Sequence, residues 1–221
     1  MNLDVKICGL STPETITAAV AGGARFVGFV FYPRSPRNVS PARARALAGA
    51  VPEGITKVAV VVNPVDSALA EICPAVDMLQ LHGEESPGRV VEIRARFEVP
   101  VMKVIKIAQG PDLETAALYS DVADWLMFDA KPPAGRADTL PGGNAVTFDW
   151  EILRAPTSGR GPAHGRPWML SGGLSLDNLA EAAEISGASV VDVSSGVEEK
   201  PGVKSVERIR AFLEAAGAAR A

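Results

Sequence analysis

Cysteine and histidine are almost missing from this chain, with two of each in 221 residues. So few thiols, with neither CxxC nor zinc-ligand spacing, exclude a disulfide scaffold and a cysteine–histidine zinc module, and fit a reducing compartment. Long apolar runs are also lacking; none approaches the roughly 18 residues that a membrane helix needs. The start, Met1-Asn2-Leu3-Asp4, has no basic segment and no apolar one, so no secretory leader is expected and the expected location is cytoplasmic. Net positive charge is absent too: 22 Lys plus Arg against 26 Asp plus Glu leave −4. Without a basic tract interleaved with aromatics, neither nucleic acid nor a membrane surface is an expected partner. A local cluster of donors can still hold a small anion.

What the chain does have is apolar material, 47% of its residues, enough for a large core without cross-links. Its length suits one domain, residues 1–221, because α/β barrels of this size do not divide. Strand-like and helix-like stretches alternate. Strands are expected over 4–8, 26–31, 57–62 and near 77–81, 101–106, 124–128, 167–170 and 190–193. Between them, helices are expected from Ser11, Thr12 and Pro13 to Gly22-Gly23, from Ser40-Pro41 through Leu47, and near 65–72, 86–96, 112–119, 148–154, 175–185 and 203–216. Runs such as Val58-Ala59-Val60-Val61-Val62 are apolar on both faces, as parallel strands covered by helices must be. Eight strand–helix pairs predict a closed (β/α)8 barrel with a parallel eight-stranded sheet. An open doubly wound sheet is the runner-up, but Cys8-Gly9-Leu10-Ser11 is not the GxGxxG turn such a sheet would show.

Barrels keep their chemistry at the carboxyl ends of the strands. Cys8 ends the first strand, and period-2 alternation puts Asp4, Lys6 and Cys8 on the lumen side with Val5 and Ile7 toward the helices. Asp129 follows the apolar run Trp125-Leu126-Met127-Phe128 and opens a long loop, 129–147. A base on one strand end and an acid on another suit a proton-moving isomerase, against the plainer readings of a buried small thiol and a turn-forming aspartate. To act as an acid Asp129 must keep its proton, which a nearby Lys131 would oppose. The strands before 171 and 194 end in Ser171-Gly172-Gly173 and Ser194-Ser195-Gly196, where barrels often hold phosphate on backbone N–H groups. Gly142-Gly143 in the long loop is either a third part of that cradle or a hinge. Arg34 and Arg37 stand near the mouth and can fork onto a carboxylate. His82 is a structural histidine or a substrate contact, His164 falls on the opposite face in a 155–166 insertion, Cys73 packs, and Trp125, Trp150 and Trp168 are core residues.

Taken together, these phrases resemble the phosphoribosylanthranilate isomerase family of tryptophan biosynthesis. The matching pieces are Lys6-Ile7-Cys8-Gly9-Leu10, Gly28-Phe29-Val30-Phe31, Ser35-Pro36-Arg37-Asn38-Val39-Ser40-Pro41 and Val61-Val62-Asn63. Gln80-Leu81-His82-Gly83, Phe128-Asp129, Phe148-Asp149-Trp150, Ser171-Gly172-Gly173-Leu174 and Asp192-Val193-Ser194-Ser195-Gly196-Val197-Glu198 follow in family order. The resemblance implies an Amadori rearrangement of N-(5-phosphoribosyl)anthranilate without cofactor or metal. It makes Asp129 the acid and Cys8 the thiolate base, helped by the cation of Lys6. It gives Arg37 the anthranilate carboxylate and gives the phosphate to Ser171, Gly172, Gly173, Ser195 and Gly196, with Gly142 and Gly143 as further contacts. Lys6, His82 and Asp192 are supporting positions. Where the family commonly writes Gly-Gly-Thr-Gly, this chain has Gly142-Gly143-Asn144-Ala145, which puts a phosphate contact from that loop in doubt.

The expected partner is therefore one phosphorylated small molecule, met by a monomer or a homodimer. Two other readings compete. A histidine-pathway isomerase would carry aspartates at the ends of strands one and five, where Cys8 and Lys106 stand here. A non-catalytic phosphosugar-binding barrel would have no use for both Cys8 and Asp129.

Overall fold

The computed structural model describes residues 3–132, 141–154 and 161–218. Eight parallel strands pair in sequence order and close into a barrel: β1 (Asp4–Cys8), β2 (Phe26–Phe31), β3 (Thr56–Val61), β4 (Met78–Leu81), β5 (Val101–Ile107), β6 (Trp125–Ala130), β7 (Trp168–Leu170) and β8 (Val190–Val193). Closure is made by β1, which pairs with β2 on one side and β8 on the other, opposing Lys6 to Asp192. That pairing excludes the open sheet. No helix among the described residues is long and apolar enough to cross a membrane.

Period-2 alternation sorts the strand residues as expected. Val5, Ile7, Val27, Phe29, Ala59 and Val61 point outward into the core beneath the helices. The lumen is filled from below by Phe26, Val58, Met78, Met102, Val104, Met127, Met169 and Val190. Above that apolar floor the inward side chains turn polar: Lys6, Gln80, Asp129, Ser171 and Asp192 are all buried. The floor excludes water from below, so the groups above it sit in a low-dielectric cup open on one side.

The helices are α1 (Pro13–Ala21), α2 (Pro41–Ala48), α3 (Asp66–Ile72), α4 (Pro87–Phe97), α5 (Thr115–Tyr119), α6 (Leu179–Ser186) and α7 (Val206–Ala218). Thr12, Ser40 and Ser86 cap the first, second and fourth by accepting a backbone N–H, each just before a proline. Three expectations need correction. The sixth helix is only a 3-10 turn, Trp150–Arg154, built on an Ile152 N–H to Asp149 carbonyl bond. The segment 110–119 is a 3-10 turn, Gly110–Glu114, leading into one turn of α5. The helix expected from 203 starts at Val206, because β9 (Glu198–Lys200) and β10 (Val203–Lys204) form a hairpin around Pro201-Gly202. The expected insertion is described only from residue 161 and the long loop only outside 133–140.

Candidate active site

Cys8, at the top of β1, is buried, and Lys6 lies one lumen layer below it with no exposure at all. Gly28 on β2 makes that arrangement possible. A Cβ there would stand 3.0 Å from Lys6 Nζ and 3.1 Å from Cys8 Sγ, so the missing side chain is the space that holds ammonium and sulfur side by side. Lys6 Nζ donates to Asp192 Oδ1 at 2.8 Å, and Ser171 Oγ donates to Asp192 Oδ2 at 3.0 Å. Burial pulls the Lys6 ammonium down, but Asp192 and Cys8 outweigh it, and its pKa is pushed up to about 12. Lys6 favours the thiolate, as the sequence suggested, but burial weighs more. Burial drives Cys8 above its ordinary value and Asp192 adds to this, while Lys6 and Lys204 only soften the shift. Lys6 spends its charge first on Asp192.

Asp129 lies inside β6, opposite Lys106, and is not the first residue of the loop. It is buried, and His82 Nε2 stands 3.0 Å from its Oδ2. The Gln80 amide sets the ring: Gln80 Nε2 lies 3.1 Å from His82 Nδ1 and 3.3 Å from Met127 Sδ. The tautomer in which Nδ1 accepts from the amide puts the imidazole proton on Nε2, facing Asp129 Oδ2, and leaves Gln80 Oε1 buried without a partner. The other oxygen, Oδ1, faces Gly172, whose ideal Cβ would lie 3.2 Å from it. Lys131 does not approach Asp129. Its ammonium pairs with Asp112 Oδ1 at 3.4 Å.

Of the two mouth arginines, only Arg37 turns inward. Arg34 is exposed, whereas Arg37 is buried and bidentate on Glu198, with Nε to Oε1 at 2.7 Å and Nη2 to Oε2 at 2.8 Å. Gly142 and Gly143 close over this side. A Cβ on Gly142 would meet His82 Nε2 at 2.6 Å, and one on Gly143 would meet Arg37 Nη1 at 2.5 Å. Both glycines thus allow close approach to the ring and the guanidinium.

Opposite them run the loops after β7 and β8. Gly172 (φ +94°) and Gly173 (φ +62°) take left-handed conformations. Side chains there would also strike Ala130 N at 2.6 Å and the Val146 carbonyl carbon at 2.7 Å. Asn178 Nδ2 holds the Gly173 carbonyl at 3.0 Å, which keeps that loop folded back. Among the described residues, the backbone N–H groups of Gly172, Gly173, Ser195 and Gly196 donate to no backbone carbonyl. Gly172, Gly173 and Ser195 line the opening, and donors so placed suit an anion.

Cys8, Asp129, His82, Arg37, Asp192, Ser171, Ser195 and the glycines of two loops, Gly142, Gly143, Gly172 and Gly173, line one cleft, whereas Gly196 does not line it. Its empty space, measured to the open mouth, is about 810 Å³, within the roughly 300–1,000 Å³ of small-molecule sites. Among the described residues no group of three or more His, Cys, Asp or Glu is placed to hold a metal ion. His164 and Cys73 do not line the cleft. Trp125 and Trp168 pack edge-on against Phe26 and Phe128, as core residues do.

A family model described as N-(5'phosphoribosyl)anthranilate (PRA) isomerase matches residues 5–215. The chain belongs to the phosphoribosylanthranilate isomerases. A curated relative of that name from Parvibaculum lavamentivorans is 53% identical over 218 residues, covering 98% of this chain and 99% of its own. One from Paramagnetospirillum magneticum is 50% identical over the full length of both. The crystal structure of phosphoribosyl anthranilate isomerase from Thermotoga maritima superposes with a TM-score of 0.83 at 33% identity, covering 98% of this chain and 99% of the other. A further structure of the family, at TM-score 0.80 and 31% identity, holds reduced 1-(o-carboxyphenylamino)-1-deoxyribulose 5-phosphate, with 98% and 99% coverage.

Several members of this isomerase site had no individual signal in the sequence. Gly28, Gln80 and Glu198 sat inside quoted phrases without a role. Asn178 and Lys204 stood in stretches read as helix.

Proposed function

We propose that this chain catalyses the Amadori rearrangement of N-(5-phosphoribosyl)anthranilate with Asp129 as general acid and Cys8 as general base. The observation that carries the assignment is that sulfur and carboxyl, 121 residues apart in sequence, line one cleft between an inward arginine and an edge of N–H donors. The phosphate sits on the N–H groups of Gly172, Gly173 and Ser195, assisted by the Ser195 hydroxyl, while the Ser171 hydroxyl gives its one hydrogen to Asp192. Arg37 receives the anthranilate carboxylate through Nη1, which among the described residues makes no hydrogen bond. Gly142 and Gly143 serve this carboxylate side by giving Arg37 and His82 room, a change from the phosphate role that the sequence suggested.

In the first step Asp129 gives its proton to the furanose ring oxygen. The C1′–O bond breaks, and the anthranilate nitrogen lone pair forms the C1′=N bond of a cationic Schiff base. His82 donates to Oδ2 and keeps the carboxyl turned so that Oδ1 carries the proton. In the second step the Cys8 thiolate takes the C2′ proton, the C–H pair becomes the C1′–C2′ double bond, and the iminium electrons return to nitrogen. The resulting enolamine tautomerises to the ketone. A thiol raised by burial is mostly protonated at neutral pH. The cationic Schiff base changes this, because a positive charge beside sulfur favours the thiolate when it is needed. One barrel domain working in the cytoplasm, as a monomer or homodimer, completes the reading. A dimeric relative from Thermotoga maritima is the known precedent for the second state.

The test follows the fluorescence of phosphoribosylanthranilate with wild type, Cys8→Ser and Asp129→Asn. Each variant is expected to lose at least about two orders of magnitude in kcat, the scale of general acid–base catalysis. Turnover within a few-fold of wild type in both would remove these two residues from the mechanism.

A further inference from the structure

Beside the cleft, outside the groups that meet substrate in the proposed mechanism, three buried charges share one network. Glu198 opens the β9–β10 hairpin and accepts both the Arg37 fork and Lys204 Nζ, the latter at 2.8 Å on Oε1. Lys204 Nζ also donates to Ser194 O at 2.8 Å and Ser194 Oγ at 3.2 Å. An ammonium has three hydrogens, so these three acceptors satisfy it, and Lys204 has none left for a ligand. Ser194 Oγ in turn reaches the carbonyl of Cys8 at 3.2 Å. Ser194 begins the loop that presents Ser195 and Gly196. The hairpin is pinned at its far end as well, since a Cβ on Gly202 would meet the Pro36 carbonyl oxygen at 2.6 Å, next to Arg37 in the loop after β2. Arg208 adds a bond to the Glu198 carbonyl from α7.

We propose that Glu198 and Lys204 are positioning residues whose buried ion pair locks Arg37 to the loop after β8, fixing the spacing between the carboxylate and phosphate ends of the pocket. This deepens the functional reading above and rests on its assignment of Arg37 to the carboxylate. The geometry argues for it in three ways. Glu198 occupies two of the three guanidinium nitrogens, which leaves Nη1 as the one directed past Gly143. Lys204 joins the same carboxylate to the main chain of Ser194, so a shift of either loop strains the other. Neither side chain touches the cleft itself: both are buried, and neither lines it.

The deciding experiment titrates the full-length chain with reduced 1-(o-carboxyphenylamino)-1-deoxyribulose 5-phosphate and with its anilino counterpart lacking the carboxylate. The ratio of the two Kd values isolates the carboxylate contact, and kcat and KM are measured in parallel. In Glu198→Gln and in Lys204→Met the ratio is expected to fall about tenfold, the scale of a charge-assisted hydrogen bond. KM should rise by a similar factor while kcat stays within about threefold, and Lys204→Arg should restore most of the ratio. General loosening of the fold weakens both ligands equally and leaves the ratio untouched, which overturns the proposal. So does a larger ratio in Glu198→Gln, which would mean that Glu198 merely damps the charge of Arg37. If Glu198→Gln does not fold, Lys204→Met and Lys204→Arg carry the comparison. A wild-type ratio near one is a different failure: it removes Arg37 from the carboxylate and takes this proposal with it.

Discussion

Cys8 shows how far a single side chain is set by its surroundings. Lys6 stands next to it, yet the thiol is pushed upward, because burial disfavours the thiolate more than the shared ammonium favours it. For a base that works as its anion, the sign is plain: more is competent as pH rises, up to a folded pKa above the ordinary 9.0. We therefore expect iodoacetamide to alkylate Cys8, in a Cys73→Ser background, ever faster through about pH 7 to 9, approaching tenfold per unit, because that reaction needs the thiolate and no proton from Asp129. Lys6→Met should move this limb further up, since it removes a charge that lowers the thiol and leaves Asp192, which raises it. A flat alkylation profile over that interval would mean a thiol already ionised and would overturn the upward shift. The placement of Cys8 and Asp129 was legible in sequence, because a polar residue closing an apolar strand stands at the barrel mouth. The Arg37–Glu198 fork was not, since it joins loops 161 residues apart and neither residue's neighbours signal the other.

At the level of elements, the strands were easiest to read. Parallel strands covered by helices leave continuous apolar runs, and all eight expected runs are strands in the barrel. Connections were harder. Glu198-Glu199-Lys200 has no apolar alternation to mark a strand, and the Pro201-Gly202 corner was the one cue that a hairpin precedes the last helix. The segment 148–154 was too short for periodicity to separate a helix from a 3-10 turn. The loop after β6 carries a testable oddity. Ala145, where the family resemblance of the sequence predicts glycine, is exposed with φ +55°. A left-handed alanine costs about 1–2 kcal/mol, partly offset by the roughly 0.5–1 kcal/mol of extra entropy that glycine loses on folding. Ala145→Gly should thus stabilise by about 0.5 kcal/mol, read as a higher urea midpoint at unchanged slope. A lower midpoint would show that Ala145 makes a contact worth more than the strain.

Across the molecule, the barrel divides into an apolar floor and a charged upper tier, and stability and catalysis draw on different layers. Met127 belongs to the floor, is fully buried, and carries the sulfur that Gln80 touches under His82. Met127→Ala opens a hole between strands that are locked in a closed ring and cannot collapse inward. The expected cost is about 3 kcal/mol, or a fall in Tm of about 10 °C for a chain of this length. Thermal unfolding at neutral pH checks it; a loss below about 1 kcal/mol would mean that the floor repacks freely.

That floor also turns a sequence statistic into a reporter. Of the five methionines in the chain, four (Met78, Met102, Met127 and Met169) meet inside the ring and the fifth is Met1. Isotopic enrichment of methionine methyls alone would place nearly every magnetic resonance signal a single storey below the reacting carbon. Ligand arrival would then be heard from underneath, free of interference from the outer shell.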